Sequence, residues 1–422
     1  MNITATLYQR FPALASRDFR IFWVGQFISL IGTWMQNVTQ PYLAYRISGN
    51  PFDLGLIGFA SALPSLLFML PAGVLVERMD KRKVVIVMQA VMMVQAFVLA
   101  FLALTGIITI AHIVVLAFVL GLANSVEITA RQSMLIELVG KEALPNAIAL
   151  QSAIFNAARV LGPALAGPLL VLLQDKGEGW AFFANGVSYL FVIVSLFFVR
   201  TRSEYSSNVG PHVGAMTEFR EGQRYILGTR IVVLLILTAA VPGFVGFPSI
   251  QQVPVFARTI FQQAGDTEAL VAARNSAMVT AQGVGALIAA VILASFSTMK
   301  RKGLLLTAGQ ATFAIALVGL SFTRALGPSL PLMTLIGWGT VTQLAMTNTL
   351  IQLLVPNQLR GRVISTYLWA QNGVAPFGSL LIGTLAQNFG SPSAVLVGGS
   401  VCLAVVIGVH AFTPRLRMVT AS

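Results

Sequence analysis

Twelve apolar stretches, each about long enough to cross a bilayer, recur along this 422-residue chain and limit what it can fold into. They lie near 20–45, 52–76, 83–105, 109–131, 146–174, 179–200, 230–256, 272–297, 303–324, 329–354, 362–387 and 392–413, bounded by charges, Gly, Pro or Asn. A hydrocarbon core of about 30 Å takes roughly 20 apolar helical residues. Within it only structures that satisfy their own backbone hydrogen bonds are viable. The expected fold is therefore an all-α membrane protein with twelve transmembrane helices. Composition agrees: 10% of residues are charged and the mean hydropathy is +0.81, whereas soluble domains carry about 25% charged residues. The first stretch, Ile21 to Ala44, is too long for a signal-peptide core and lacks a clear small-residue cleavage site, so it reads as the first span.

The net charge of +13 would point to nucleic acid in a soluble protein, but here its placement matters more. With the N-terminus cytoplasmic, 21 of the 27 Lys and Arg fall on the cytoplasmic side, in clusters such as Arg78/Lys81/Arg82/Lys83 and Lys300/Arg301/Lys302. Arg46, Lys176, Arg258, Arg274 and Arg324 face the other way, and Arg159 lies within a span. The positive-inside rule then predicts that both termini are cytoplasmic. The expected location is the cell (inner) membrane, as a multi-pass protein, and no nucleic-acid partner is expected. A monomer is expected.

The longest polar connection divides the chain into a six-helix half at 1–200, a cytoplasmic linker at 201–229 and a second six-helix half at 230–422. Within the linker, 218–226 reads equally well as a short surface helix or as solvated chain. A weak internal repeat supports duplication. Ala130, Leu135, Ile136 and Leu138 align with Ala345, Leu350, Ile351 and Leu353 at an offset of 215, and Pro163 with Pro376 at 213. Parallel repeats of this kind are a transporter architecture.

Polar residues inside the spans are the candidates for function. Gln26, Ser29, Thr33, Asn37 and Gln40 form one helical face of the first span. Such a stripe cannot face lipid, so it lines a cavity or bonds to neighbouring helices. Ser152, Asn156 and Arg159 form a similar face on the fifth span, with Pro163 on the same side. Two intramembrane charges stand out, because each costs roughly 2.5 to 3.5 kcal/mol on insertion scales. Glu127 is the leading proton-coupling candidate by exclusion, and an i,i+4 ion pair with Arg131 is its structural alternative. Arg159 either meets an anionic or polar substrate or binds carbonyls freed near Pro163. Its counterpart in the second half is Asn372. Trp34, Trp338 and Trp369 lie away from the interfaces, where stacking on a ligand competes with plain helix packing.

Other chemistries find little support. Cys402 is the single cysteine, and His112, His212 and His410 are scattered, so neither a disulfide nor a metal cluster is expected. No Gly-x4-Gly-Lys-Ser/Thr loop is present to bind ATP. No cofactor is expected, and an enzyme would need a nucleophile with its base or clustered ligands.

Certain motifs resemble the major facilitator superfamily. Gly73-Val-Leu75-Val-Glu77-Arg78-Met-Asp80-Lys81-Arg82-Lys83 is similar to its signature loop after the second span, with Glu77 where Asp is usual. Gly162-Pro163-Ala-Leu-Ala-Gly167 resembles the core of a motif associated with its exporters. Arg131-Gln132, the stretch 144–150, residues 359–363 and Ala375-Pro376-Phe-Gly378 resemble the branch holding enterobactin exporters and macrolide-efflux-like proteins. The resemblance implies rocker-switch alternating access. Gly73, Glu77, Arg78 and Arg82 would serve a cytoplasmic gate, with Asp80 and Arg131 grouped beside them, and Gly162, Pro163 and Gly167 would shape a bend. The equivalent loop of the second half, Lys300-Arg301-Lys302, lacks the acidic residue. The expected activity is proton-coupled export of a small amphiphilic organic compound, a siderophore or drug. Import of a small metabolite on the same fold is the alternative.

Overall fold

The computed structural model describes residues 11–77, 79–199, 215–295 and 301–412, with side chains excepted at 69–75, 77, 215–219, 357, 410 and 412. All regular structure among them is helical. Helices α1 (Arg17–Ser48), α2 (Pro51–Glu77) and α3 (Lys81–Thr105) are followed by α4 (Ile110–Leu173) and α5 (Gly177–Phe198). Next come α6 (Ala215–Gly228) and α7 (Arg230–Val241), which runs on through π-helical turns at Pro242–Gly246 and Phe256–Ile260. The chain ends with α8 (Glu268–Ser295), α9 (Lys302–Phe322), α10 (Leu326–Leu354), α11 (Asn357–Asn372), α12 (Ala375–Phe389) and α13 (Ser391–Phe412).

Seven runs of described helix are long and apolar enough to cross a membrane, and one of them, Ile110–Phe198, holds three passes. Helices α1 and α10 fall short of that measure because of the amides and hydroxyls they carry, among them Gln26, Gln36, Asn37 and Gln40 in α1 and Thr342, Gln343 and Thr347 in α10. With α11 and α12 taken as one pass, the described helices make the twelve passes expected.

The connection between the fourth and fifth spans is itself helical. Its one break lies at Gly140, where φ is 76°. A side chain at that dihedral would press on the following carbonyl, so glycine is what lets the chain turn there. At the head of α2 the cap is Asn50, whose Oδ1 accepts from Phe52 N at 3.0 Å, and Asp53 sits within the first turn.

Cα packing groups the chain into two compact units, Met1–Leu43 with Leu63–Asn208 and Ala44–Ala62 with Val209–Ser422. The first unit's core includes Phe19, Phe22, Val85, Met134 and Leu196. In it α1 lies so close to α5 that a Cβ on Gly25 would stand 2.8 Å from the Phe191 carbonyl oxygen. The second unit's core includes Phe256, Met278, Phe313, Leu317 and Ile336. There Gly285 of α8 lies against the Thr334 backbone and Gly337 of α10 against that of Gln282. Lipid supplies little hydrophobic drive between helices, so such close approach matters for its dispersion contacts. The second unit also holds the 44–62 segment, where Tyr45 and Thr259 share a hydroxyl hydrogen bond of 2.7 Å.

Helix α6 takes the helical alternative for the 218–226 segment. Arg362 Nη1 donates to Glu221 Oε2 at 2.5 Å and Gln223 Nε2 to Thr366 Oγ1 at 3.1 Å, which ties α6 to α11.

Candidate functional site

The polar face of α1 serves two ends. Gln26 and Ser29 are buried, at 3% and 2% exposure, and Thr33 shares a 3.3 Å hydrogen bond with the Tyr189 hydroxyl of α5. Asn37 is exposed, and Trp34 is partly exposed one position away from Thr33. The stripe therefore holds α1 to its neighbours along part of its length and presents an open amide further on.

Arg159 meets α1 at Trp34. Its guanidinium carbon lies 5.1 Å from the centre of the Trp34 ring, and Phe155 packs edge-on against the same ring at 5.5 Å. The approach depends on Gly162, one turn along α4, because a Cβ there would collide with Trp34 Cβ and the Ile31 carbonyl. Gly162, Pro163 and Gly167 all lie within α4, and Gly162 is a point of close contact with α1. Among the described residues Arg159 has no carboxylate within ion-pair distance, and it is partly exposed. Asn156, one turn back and also partly exposed, donates to the Ser152 carbonyl at 2.8 Å. A cation on an aromatic face with no counter-ion is suited to an anionic or electron-rich group of a ligand.

Glu127 is 2% exposed on α4. Its Oε1 accepts from Arg131 Nε at 2.9 Å and from Gln89 Nε2 of α3 at 3.2 Å. The i,i+4 ion pair is thus present, and Gln89 adds a neutral donor from the neighbouring helix. Arg159 takes no part in it.

A buried amide relay joins this unit, and apart from Gln40 its members lie outside the polar faces read from the sequence. Asn185 Nδ2 donates to Gln36 Oε1 at 2.7 Å, and Gln36 Nε2 reaches Gln40 Oε1 at 3.1 Å and Gln95 Oε1 at 3.3 Å. The signal was available: Gln36 and Gln40 are four apart in an apolar span, and Gln89, Gln95 and Asn185 are equally out of place in theirs.

Of the gate candidates, Gly73 lies near the end of α2, the Glu77 side chain falls outside the described residues, and so does Arg78. Asp80 caps α3 by accepting from Lys83 N at 3.2 Å, Arg82 Nη2 donates to the Phe197 carbonyl at 3.2 Å, and Arg131 is committed to Glu127. Lys81, on the same loop, forms a 2.7 Å ion pair with Glu137 of α4. In the second unit Trp338 is partly buried on α10, Trp369 is 50% exposed on α11, and Asn372 donates to the Leu368 carbonyl at 3.0 Å.

With this geometry in place, residues 9–421 match the family described as transmembrane secretion effectors. The chain belongs to that family. It is a multi-pass membrane transporter of the major facilitator fold, not an enzyme, and its substrate is a small molecule. It is 25% identical over 398 residues to the multidrug efflux pump Tap of Mycolicibacterium fortuitum, covering 92% of this chain and 93% of that one. It is 25% identical over 396 residues to the staphyloferrin A transporter of Staphylococcus aureus, with 92% and 94% coverage. With the enterobactin exporter EntS of Escherichia coli the figures are 23% over 415 residues, 96% and 95%. Among solved structures, a D-xylose-proton symporter superposes with a TM-score of 0.71 at 14% identity, covering 95% of this chain and 100% of that one. A bacterial homologue of the lysosomal transporter Spinster gives 0.68 at 15%, with 95% and 96% coverage.

Proposed function

We propose that this transporter exports a small amphiphilic organic compound carrying an anionic or electron-rich aromatic group, by alternating access and at the expense of a proton gradient. The observation that carries the substrate class is the Arg159 guanidinium on the Trp34 ring, partly exposed and without a carboxylate partner among the described residues. Siderophores and many drugs combine these features, and the relatives named as siderophore and drug transporters support export of that kind of cargo. Gln26, Thr33, Asn37 and Asn156 belong to the same pair of helices, and in the second unit Trp338, Trp369 and Asn372 are the residues we assign to substrate contact. Glu127 is the proposed proton carrier. Its protonation would dissolve the pair with Arg131 and leave Gln89 as the remaining partner. In this reading the protein acts as a monomer in the inner membrane with both termini cytoplasmic, which the distribution of Lys and Arg supports.

Counterflow in proteoliposomes under an imposed pH gradient tests the reading, using enterobactin and a cationic dye as probes and comparing the unaltered protein with Glu127→Gln. Gradient-driven flux should vanish in the variant while exchange at equal pH persists. Gradient-driven flux that survives removes Glu127 as the carrier, and no uptake of either probe by the unaltered protein removes the substrate class.

A further inference from the structure

The first pass of α4 has two uncovered faces, and they differ in kind. Ser125 shares a 2.9 Å hydroxyl hydrogen bond with Ser65 of α2, and Glu127 accepts from Gln89 of α3, so these two helices flank it. One uncovered face is apolar. Val115 on it is 61% exposed, as suits a side chain in lipid. The other carries Asn124, nine residues later and also exposed. At 3.6 residues per turn nine residues make two and a half turns, so Asn124 points away from the side that Val115 gives to lipid. Ile128, partly exposed, and Gln132, exposed, continue the Asn124 face at i+4 and i+8.

An amide open in mid-span is costly in hydrocarbon unless something polar meets it. Asn156 and Asn372 return their amides to carbonyls of their own helices. Asn124 makes no such bond among the described residues, so water or a ligand serves it. Its depth matches that of the cation–aromatic pair. Asn124 stands fourteen residues from Ile110, Arg159 fourteen from Leu173 and Trp34 fourteen from Ser48. Successive passes alternate in direction, which brings those three ends to the same side. All three residues therefore lie about 21 Å along their helices from that side, at 1.5 Å per residue. All three also belong to the first compact unit.

We infer that Asn124 is a further cargo contact, an uncharged donor and acceptor on the water-filled side of the first unit at the level of Arg159 and Trp34. The inference rests on the cargo reading above and extends it. The substrate carries a neutral carbonyl, amide or hydroxyl group, which Asn124 meets through Nδ2 or Oδ1, beside the anionic or electron-rich group that Arg159 meets.

The test starts from full-length protein with its single cysteine removed, Cys402→Ser, into which Asn124→Cys or Val115→Cys is introduced. In nanodiscs a charged, membrane-impermeant methanethiosulfonate should label position 124 readily and position 115 hardly at all. Saturating enterobactin, or the cationic dye if that is the probe transported, should slow labelling at 124. In proteoliposomes Asn124→Ala should raise the KM of the transported probe roughly 2- to 10-fold, the equivalent of one net hydrogen bond, with maximal flux little changed. No labelling at 124, labelling that a transported probe does not slow, or a fall in maximal flux at unchanged KM each overturn the inference while the cargo reading stands. Should Asn124→Ala not fold, the labelling arm decides alone. If the unaltered protein transports neither probe, the cargo reading falls and this inference with it.

Discussion

The guanidinium of Arg159 rests 5.1 Å from the centre of the Trp34 ring, joining a cation on α4 to an aromatic on α1. The sequence places each inside a span, yet only their meeting makes a ligand-sized recognition element. A desolvated cation–π contact contributes up to about 2 kcal/mol. Trp34→Leu should therefore raise the KM for an anionic aromatic substrate by up to about 30-fold, with a smaller effect on maximal flux. Arg159→Met should weaken anionic substrates more than cationic ones, read as the ratio of their transport efficiencies. Equal losses for both classes would assign Arg159 a structural role.

The Glu127–Arg131 pair yields a prediction about stability. Removing one member of a buried ion pair leaves an uncompensated charge, at a cost of about 3–5 kcal/mol. Arg131→Met should lower the thermal unfolding temperature in detergent more than Glu127→Gln does, because glutamine can keep the bond to Gln89. The double variant should recover much of the loss. Tm values from a thiol-independent dye assay check the order.

Close approach at Gly162 can be tested against a neutral control. Gly162→Leu forces a side chain into Trp34 and the Ile31 carbonyl, and overpacking of this kind costs about 1–3 kcal/mol or more. Folded yield and transport should both fall. Gly408→Ala, where nothing lies within 4 Å of the added Cβ, should be neutral or should stabilise slightly, by up to about 1 kcal/mol. Size-exclusion recovery after heating separates the two outcomes.

Outside the spans, Asp266 is held below the ordinary carboxylate range, first by the hydrogen bonds from Arg274 and then by that from the Gln263 backbone. Arg274 Nη2 donates to its Oδ1 at 2.7 Å. A carboxyl depressed in the folded state contributes stability above its unfolded value of about 3.9 and loses it as pH falls through the lower folded value. Asp266→Asn should therefore be less stable than the unaltered protein at neutral pH, and the two curves should converge below about pH 4. A difference in Tm that stays constant down to acid pH would show that the pair plays no such part.

How much of this was legible in the sequence differs from residue to residue. Glu127 with Arg131 could be read directly, because an i,i+4 spacing puts two side chains on one helix face whatever the rest of the chain does. The meeting of Trp34 with Arg159 could not, since helical periodicity gives a residue's face on its own helix but not which helix lies opposite. The relay through Gln36, Gln95 and Asn185 escaped for the same reason, although each of these amides was conspicuous in an apolar span.

What the sequence determined alone was that the chain lies in a bilayer and crosses it in twelve passes. A helix of roughly 20 apolar residues satisfies its own backbone, so no distant partner is needed to form it. The motifs of the signature loop and of 162–167 were equally local, and they led to the family. Only the tertiary structure decided which polar residues of α1 are buried and which stand open, that the turn between the fourth and fifth spans is a helix broken at Gly140, and that Ala44–Ala62 packs with the C-terminal helices. Those outcomes depend on which helix faces meet, and inside a membrane close packing and hydrogen bonds decide that.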